Sequence, residues 1–279
     1  MNQVTNYQQG GVPTTPEQVA EYWTKSAEHY AATERSGSPS ISVKNMTLMA
    51  GDQPIPGNQF AAIILDVAML NVFYTSAYNP NVVLPPICYA VGRNPAEMAP
   101  HPDMAKDPSY FKPQADRCGA CPHKEWGSAQ GTSQGRACRD RRRFKLLVAG
   151  TYAQGPQGWS LNANMDPTYY QTAAIMDMSI PPTSIKTWGA YVRSVSAQYG
   201  APPFGVVTRV WSHPHPEHGK EAMSFEALGP IPEDWRGLMI QRHNEAATTI
   251  LEGYEPPQAQ QQRGGGFYGA QQQAIQGQR

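Results

Sequence analysis

The sequence predicts a domain of the α+β class, mainly β with helices, on the basis of three observations. Short apolar runs of β-like character alternate with turn segments from residue 40 onward. Helix start signals occur near the N-terminus and twice in the second half of the chain. With 279 residues, 40% of them hydrophobic, the chain can form a substantial core. Short strands separated by turns favour a small barrel or a sandwich.

The N-terminal helix has the clearest start signals. Thr15 is the predicted N-cap, Pro16 lies in the first turn, and Gln18 completes a capping box. The preceding residues 1–14 are rich in Gln, Asn, Gly and Thr, so we expect a disordered N-terminus. The Gln- and Gly-rich residues 255–279 predict a disordered tail in the same way.

The strands and the two later helices lie in one predicted domain over residues 15–254. Helices are expected at 182–200 and 231–254, and an insertion interrupts the strands at about 93–142. The predicted strands are 41–50, 60–74, 84–92, 143–150, 172–180, 204–212 and 222–229.

Charge and hydropathy indicate a soluble cytoplasmic protein. The N-terminus lacks a charged start followed by an apolar run. The most apolar segment, 60–74, is short for a membrane span and contains Asp66 and Asn71, so we expect no membrane contact. Lys and Arg number 22, as do Asp and Glu, which argues against a purely electrostatic binder but permits a local basic patch.

The segment RCGACPHKEWGSAQGTSQGRACRDRRRFK, residues 117–145, holds three of the four cysteines. Cys118 and Cys121 form a C-x-x-C pair in which Gly119 permits a tight turn, and Cys88 and Cys138 complete a candidate set of four thiolates. His123 is an alternative fourth ligand. One structural zinc ion fits this pattern. An iron–sulfur cluster uses the same thiolates but is less favoured, and four simply buried thiols are the remaining interpretation.

Positive charge is concentrated in the same segment. Residues 112–145 contain nine Lys or Arg and three Asp or Glu, a local charge of +6 in a chain whose formal net charge is zero. A solvated strand edge would explain this pattern, and so would a stripe that binds phosphates of a nucleic acid. The candidate nucleic-acid contacts are Arg136, Arg139, Arg141, Arg143, Lys145 and Trp126.

The alternation of a strand gives these candidates a geometry. In RRRFKLLV, Arg141, Arg143 and Lys145 would share one face, which we expect to be the groove. Trp126 is the aromatic residue expected to be exposed, where a base could stack on it. No nucleotide-binding loop or nucleophile motif is present, and we expect no enzymatic activity. These residues leave open whether DNA or RNA is preferred.

The order of these motifs resembles a group of bacteriophage proteins described as single-stranded-DNA-binding proteins. The resemblance covers roughly residues 85–230 and includes the segments IPPTSIKTWGAYV and GVVTRVW. The single positions that match are Cys88, Cys118, Cys121, Pro122, Trp126, Gly127, Ser128, Ala137, Cys138, Arg139, Arg142 and Arg143.

The resemblance implies an OB-fold-like small barrel that carries a zinc-knuckle insertion and coats single strands during phage DNA replication or recombination. Phage replication or recombination proteins would then be partners. The tail departs from the acidic tails common in such proteins, since Glu255 is opposed by Arg263 and Arg279, and we expect it to favour self-association on the strand instead. Two alternatives remain: a phage-encoded regulatory factor that docks on a host protein through the knuckle, and an iron–sulfur protein.

Overall fold

A computed structural model describes residues 15–23, 39–75, 85–129, 135–217 and 219–254. The chain divides into two compact units, Pro39–Gln262 and a second unit formed by Met1–Ser38 and Arg263–Arg279. The disorder predicted for residues 1–14 and 255–279 lies outside the described residues.

In the second unit, helix α1 is described over residues 16–23. The predicted capping box is present. The Thr15 amide donates to Gln18 Oε1, and the Gln18 amide donates to Thr15 Oγ1, each at 3.3 Å. These two bonds satisfy backbone donors that the first turn of a helix leaves free, so the start of the helix follows from local sequence.

The unit Pro39–Gln262 is built on one ten-stranded sheet. The strand order is β10-β9-β4-β6-β8-β1-β2-β3, with β5 added to β4 and β7 added to β6. The strands are β1 (Ser40–Lys44), β2 (Thr47–Ala50), β3 (Gln53–Pro54), β4 (Gln59–Phe73), β5 (Cys88–Gly92), β6 (Arg139–Gly155), β7 (Gly158–Ala163), β8 (Met176–Ile180), β9 (Val206–Pro214) and β10 (Glu221–Pro230).

Strands β4 and β6 form the long antiparallel centre of the sheet, paired from Phe60 opposite Thr151 to Val72 opposite Arg139. Their apolar runs are nearly continuous because both faces of the sheet are covered. On β4, Ile64 and Leu65 are both buried although neighbouring residues point to opposite faces. A register shift between Ile64 and Asp66 adds one residue to β4.

Helices cover the two faces of the sheet. Helix α3 (Ile185–Tyr199) packs through Trp188 and Tyr191 on the face that carries Phe144. Helices α2 (Pro167–Thr172) and α4 (Arg236–Thr249) pack on the other face, around Leu147. The order is therefore helix, sheet, helix. Gly200 ends α3 in the left-handed conformation (φ 58°), as its position in the sequence predicts.

The predicted α+β class, mostly sheet with some helices, is confirmed. The sheet is open, since among the described residues β10 and β3, at the two ends of the strand path, do not pair with each other. No helix in the described residues is long and apolar enough to cross a membrane.

The insertion, predicted at about 93–142, contains four short 3-10 turns joined by irregular segments in its described residues and ends where β6 begins at Arg139. It follows the free edge of β5, where the amides of His101 and Lys112 donate to the carbonyls of Tyr89 and Ile87 at 2.9 and 2.7 Å. A small core of its own forms around Tyr89 and includes Leu70, Val72, Met104 and Phe111. This core attaches the insertion to the end of β4.

Candidate functional site

The four cysteines lie around the C-terminal end of β4. Cys88 begins β5 and pairs with Phe73 of β4. On the other side of β4, Arg139 pairs with Val72, which places the preceding residue, Cys138, at the same end of the sheet. The sheet therefore brings together two thiols that are fifty residues apart in sequence.

The C-x-x-C pair comes to this end of the sheet on two consecutive 3-10 turns, Cys118–Ala120 and Pro122–Lys124. The Cys118 amide donates to the Met98 carbonyl at 2.8 Å, and the Cys138 amide donates to the His123 carbonyl at 2.8 Å. We call the segment formed by these two turns, residues 118–124, the knuckle. The two backbone bonds tie the knuckle to the earlier part of the insertion and to the start of β6.

All four cysteines line one cavity of about 20 Å³. None of them forms a disulfide. A thiolate on one of these cysteines raises the pKa of the other thiols. The pKa of Cys138, for example, is raised by Cys118, Cys121 and Cys88. The four sulfurs are thus close enough to interact electrostatically. A cavity of this size holds one small object, comparable to a single water molecule.

The surroundings of the thiols combine burial with groups that favour thiolates. Burial raises the pKa of Cys138 to about 12, and the Lys124 ammonium opposes this rise. Burial also raises the pKa of Cys118, opposed first by a hydrogen bond from the Asn71 side chain and then by Lys124. For Cys88 the opposing group is the Gln114 backbone N–H. Hydrogen-bond donors and a cation around buried thiols are the usual outer environment of a metal–thiolate site.

Two further observations bear on metal binding. Among the described residues, no three His, Cys, Asp or Glu side chains are arranged so that they could hold a metal ion as they stand. The donor chemistry and the shared cavity fit zinc, but the thiols would have to close in on the ion. His123 does not line the cavity. Its Nε2 is 3.1 Å from Gln114 Oε1, and its ring stacks on Phe73 with 4.1 Å between centroids.

The predicted nucleic-acid contacts fall into separate places. Trp126 lies just after the knuckle with 76% of its surface exposed, as expected. The Arg136 guanidinium lies over the Trp126 ring, 5.0 Å from its centroid, and also pairs with Asp140 at 3.2 Å. Arg136 is therefore held by the ring and the carboxylate.

Arg139, Arg141 and Arg142 lie at the start of β6, and none of them is paired with a carboxylate within the described residues. Arg139 is exposed, and Arg141 and Arg142 are half-buried. Tyr74 is 40% exposed and lies near Arg139 and Arg141. Burial raises the pKa of Tyr74 to about 12, and the charges of the two arginines oppose this rise. We call Arg139, Arg141, Arg142 and Tyr74 the arginine strip.

Arg143 and Lys145 have structural partners. Lys145 is only 5% exposed, and its Nζ is 3.0 Å from Asp177 Oδ2 on the neighbouring strand β8. Arg143 donates to the carbonyls of Ile250 and Glu252, at the end of α4, and lies over the Tyr254 ring. The alternation that puts both residues on the face of Arg141 is correct in direction, but α4 covers that face from residue 143 onward.

Sequence reasoning did not single out Tyr74, Asn71 or Lys124 as site residues. Tyr74 and Asn71 belong to an apolar segment that indicates core, and their place beside the site depends on where β4 ends. Lys124 was counted only as a charge. In the structure it lines the cysteine cavity and pairs with Asp140.

Comparison with known proteins adds no relative. No family model, no curated protein and no solved structure matches this chain. The resemblance to phage single-stranded-DNA-binding proteins therefore rests on the residue pattern alone.

Proposed function

We propose that the protein is a non-enzymatic, sequence-tolerant single-stranded-DNA-binding protein that carries one structural zinc ion. The observation that carries this proposal is the arginine strip. Within the described residues Arg139, Arg141 and Arg142 have no carboxylate partner, although Asp140 lies between them in sequence and pairs instead with Lys124 and Arg136. Glu221 and Asp140 act on Arg141 and Arg142 only from beyond ion-pair distance. Arginines on a strand that make no close ion pair suit the phosphates of a nucleic acid.

The aromatic residues beside the strip favour single strands. Trp126 and Tyr74 are both exposed near cations, and bases stack on such rings when they are not paired in a duplex. The resemblance adds the finer proposals: an OB-like groove, a role in phage replication or recombination, and partners among phage proteins of those processes.

Zinc would be held by Cys88, Cys118, Cys121 and Cys138. Its contribution is a cross-link between β5, the knuckle and β6, in a part of the protein with little apolar core of its own. Lys124 and Asn71 would offset the negative charge of the four thiolates. The position of His123 outside the cavity favours Cys88 as the fourth ligand.

The test is a tryptophan-fluorescence titration with oligo-dT at low and moderate salt. We expect quenching and an affinity that falls with salt. Arg141→Ala should weaken binding and reduce the salt slope by about 0.7, the value of one phosphate contact on a single strand. Arg193→Ala, which removes an exposed arginine from α3, is the matched control and should leave the slope unchanged.

Two outcomes would redirect the proposal. Failure of the unaltered protein to bind oligo-dT at either salt would leave the exposed Trp126 as a docking residue for a protein partner, which is the regulatory alternative. A brown protein absorbing visible light would identify an iron–sulfur cluster, whereas a colourless protein with one equivalent of zinc excludes it.

A further inference from the structure

A second group of rings and cations lies near the other end of β4 and β6. On β9, the Arg209 guanidinium lies 4.9 Å from the centroid of the Trp211 ring and 5.6 Å from that of Tyr152 on β6. The ring of His213 follows, 6.5 Å from Trp211 and tilted by 36°. We call Tyr152, Arg209, Trp211 and His213 the ring platform.

The ring platform is held in place by polar side chains. Gln59, only 4% exposed, accepts a bond from Arg209 Nε at 2.8 Å. Glu226 pairs with Arg209 Nη1 at 3.2 Å. His213 Nε2 is 2.8 Å from Ser224 Oγ. Arg209 and His213 are thus fixed from neighbouring strands, and Arg209 lies over the rings of Trp211 and Tyr152, so the platform is organised before anything binds to it.

The ring platform shares a sheet face with Arg139 and Arg141 of the arginine strip, whereas Arg142 alternates onto the face of Phe144. Arg209 pairs with Ala61, which belongs to the cluster around Leu147, and Leu147 alternates onto the face of Arg141. Helix α4 covers the middle of this face. Trp211, Arg209 and His213 remain half-buried, whereas Tyr152 is only 9% exposed under Arg209 and supports the platform without offering a free ring face. The residues that alternate with Trp211 and Arg209 on β9 are buried by the opposite layer.

We propose that the ring platform stacks unpaired bases of single-stranded nucleic acid. This rests on the proposed function for the phosphate contacts, since Glu226 already offsets the charge of Arg209 and leaves stacking as its main attraction. A polyanion that also carries planar rings is the partner whose chemistry matches both parts of this face. Trp159 on β7 is 45% exposed and packs against Gly57, which precedes β4, so it extends the aromatic surface.

The experiment compares oligo-dT with an abasic strand of the same length. Arg141 and Arg209 pair with Leu70 and Ala61, nine positions apart on β4, a distance of about 30 Å. A strand of about 16 nucleotides is therefore used. The arginines of the arginine strip recognise the phosphates of both strands, whereas the ring platform, like Trp126 and Tyr74, requires bases. The unaltered protein should bind oligo-dT more tightly, by about 5- to 150-fold for each stacked base.

Trp211→Ala should remove at least about fivefold of this preference and leave the salt slope unchanged. Trp211→Phe, which keeps a ring, should retain most of the preference. Arg141→Ala should do the reverse, reducing the salt slope while retaining the preference. An unchanged preference in Trp211→Ala would overturn the ring platform alone. Equal binding of both strands by the unaltered protein would overturn base stacking on the ring platform, Trp126 and Tyr74, but not the phosphate contacts of the arginines. Failure to bind either strand would overturn the proposed function itself.

A second measurement keeps the proposal testable if Trp211→Ala does not fold. The unaltered protein is cross-linked by light to a strand that contains 5-iodouracil, and the attached residues are identified by mass spectrometry. Attachment at Trp211 or His213 supports the ring platform. Attachment confined to Trp126 and Tyr74 overturns it.

Discussion

The cations of the basic segment differ in role according to what each side chain meets. Lys145 and Arg141 are four residues apart on β6 and share a face, yet Lys145 is buried against Asp177 while Arg141 makes no close ion pair among the described residues and meets Glu221 only at longer range. Burying an ammonium is favourable only beside an opposite charge. The residue opposite on the neighbouring strand therefore decides whether a cation is structural or available to a ligand. The local sequence RRRFK does not show which residue that is.

Lys145→Ala should lower the free energy of unfolding by about 3 kcal/mol, because it leaves Asp177 without its partner in a largely buried place. Asp177 keeps some solvent contact, so the loss should lie at the low end for a buried pair. Urea denaturation measures it. The double variant Lys145→Met with Asp177→Leu should recover most of the stability. An unchanged unfolding free energy with a reduced salt slope for oligo-dT would instead assign Lys145 to the nucleic acid.

Glu221 gives the protein a predictable response to pH. Burial raises the pKa of its carboxyl, opposed by the Met46 amide and by Arg141. The folded state therefore favours the protonated form. The resulting stabilisation is complete below the pKa of the unfolded chain, about 4.3, and is lost as the pH rises through the folded pKa.

Glu221→Gln should remove this dependence. The melting temperature of Glu221→Gln minus that of the unaltered protein should increase between about pH 4 and about pH 7, because only the unaltered protein loses this stabilisation as the pH rises. Thermal melting across that range measures the difference. A difference that is constant with pH would mean that the carboxyl titrates alike in the folded and unfolded states.

At the scale of elements, the strands that carry a strong apolar pattern were predictable and the connections between them were not. β4 was expected at 60–74 and lies at 59–73. β6 was expected at 143–150 but begins at Arg139 and runs to Gly155. Its polar ends give no apolar signal, and pairing with β4 and β7 keeps them extended. The short helix α2 was missed although Asp166 caps its first turn and Pro167 begins it; its six residues also need the packing of Tyr170 against the core.

The end of α4 depends on Arg143. Its guanidinium donates to the carbonyls of Ile250 and Glu252, which the helix itself leaves without partners. The chain then packs so closely that a Cβ on Gly253 would lie 2.5 Å from Tyr89 Oη. This one side chain therefore connects the central strand to the last described residues.

Arg143→Met should cost about 1–2 kcal/mol and speed amide exchange in residues 246–254, because the last carbonyls of α4 lose a charged donor. Hydrogen–deuterium exchange by mass spectrometry measures this effect. Arg142→Met is the matched control, since the described contacts of Arg142 do not include α4. If the amides of residues 246–254 were equally protected in both variants, Arg143 would not stabilise the end of α4.

At the scale of the molecule, the sequence identified the four cysteines as a set but did not establish which elements would assemble them. Cys88 and Cys138 come together because β5 and β6 flank the same end of β4, a consequence of sheet order. The ring platform was not anticipated for the same reason. Tyr152 and Arg209 are far apart in sequence, and each alone is unremarkable as a strand residue.

Because zinc would link the knuckle to two strands, its removal should affect one region more than the rest. The clusters around Phe144 and Leu147 lie in the middle of the sheet and do not involve the cysteines. A strong chelator should therefore raise amide exchange in residues 117–129 and 135–138 while β4 and β9 stay protected. Cys138→Ser should reproduce this pattern.

His123→Ala should keep one equivalent of zinc, because His123 lies outside the cavity. Loss of zinc in His123→Ala but not in Cys88→Ser would identify His123, and not Cys88, as the fourth ligand. If the chelator instead raised amide exchange uniformly across the sheet, the ion would support the whole fold.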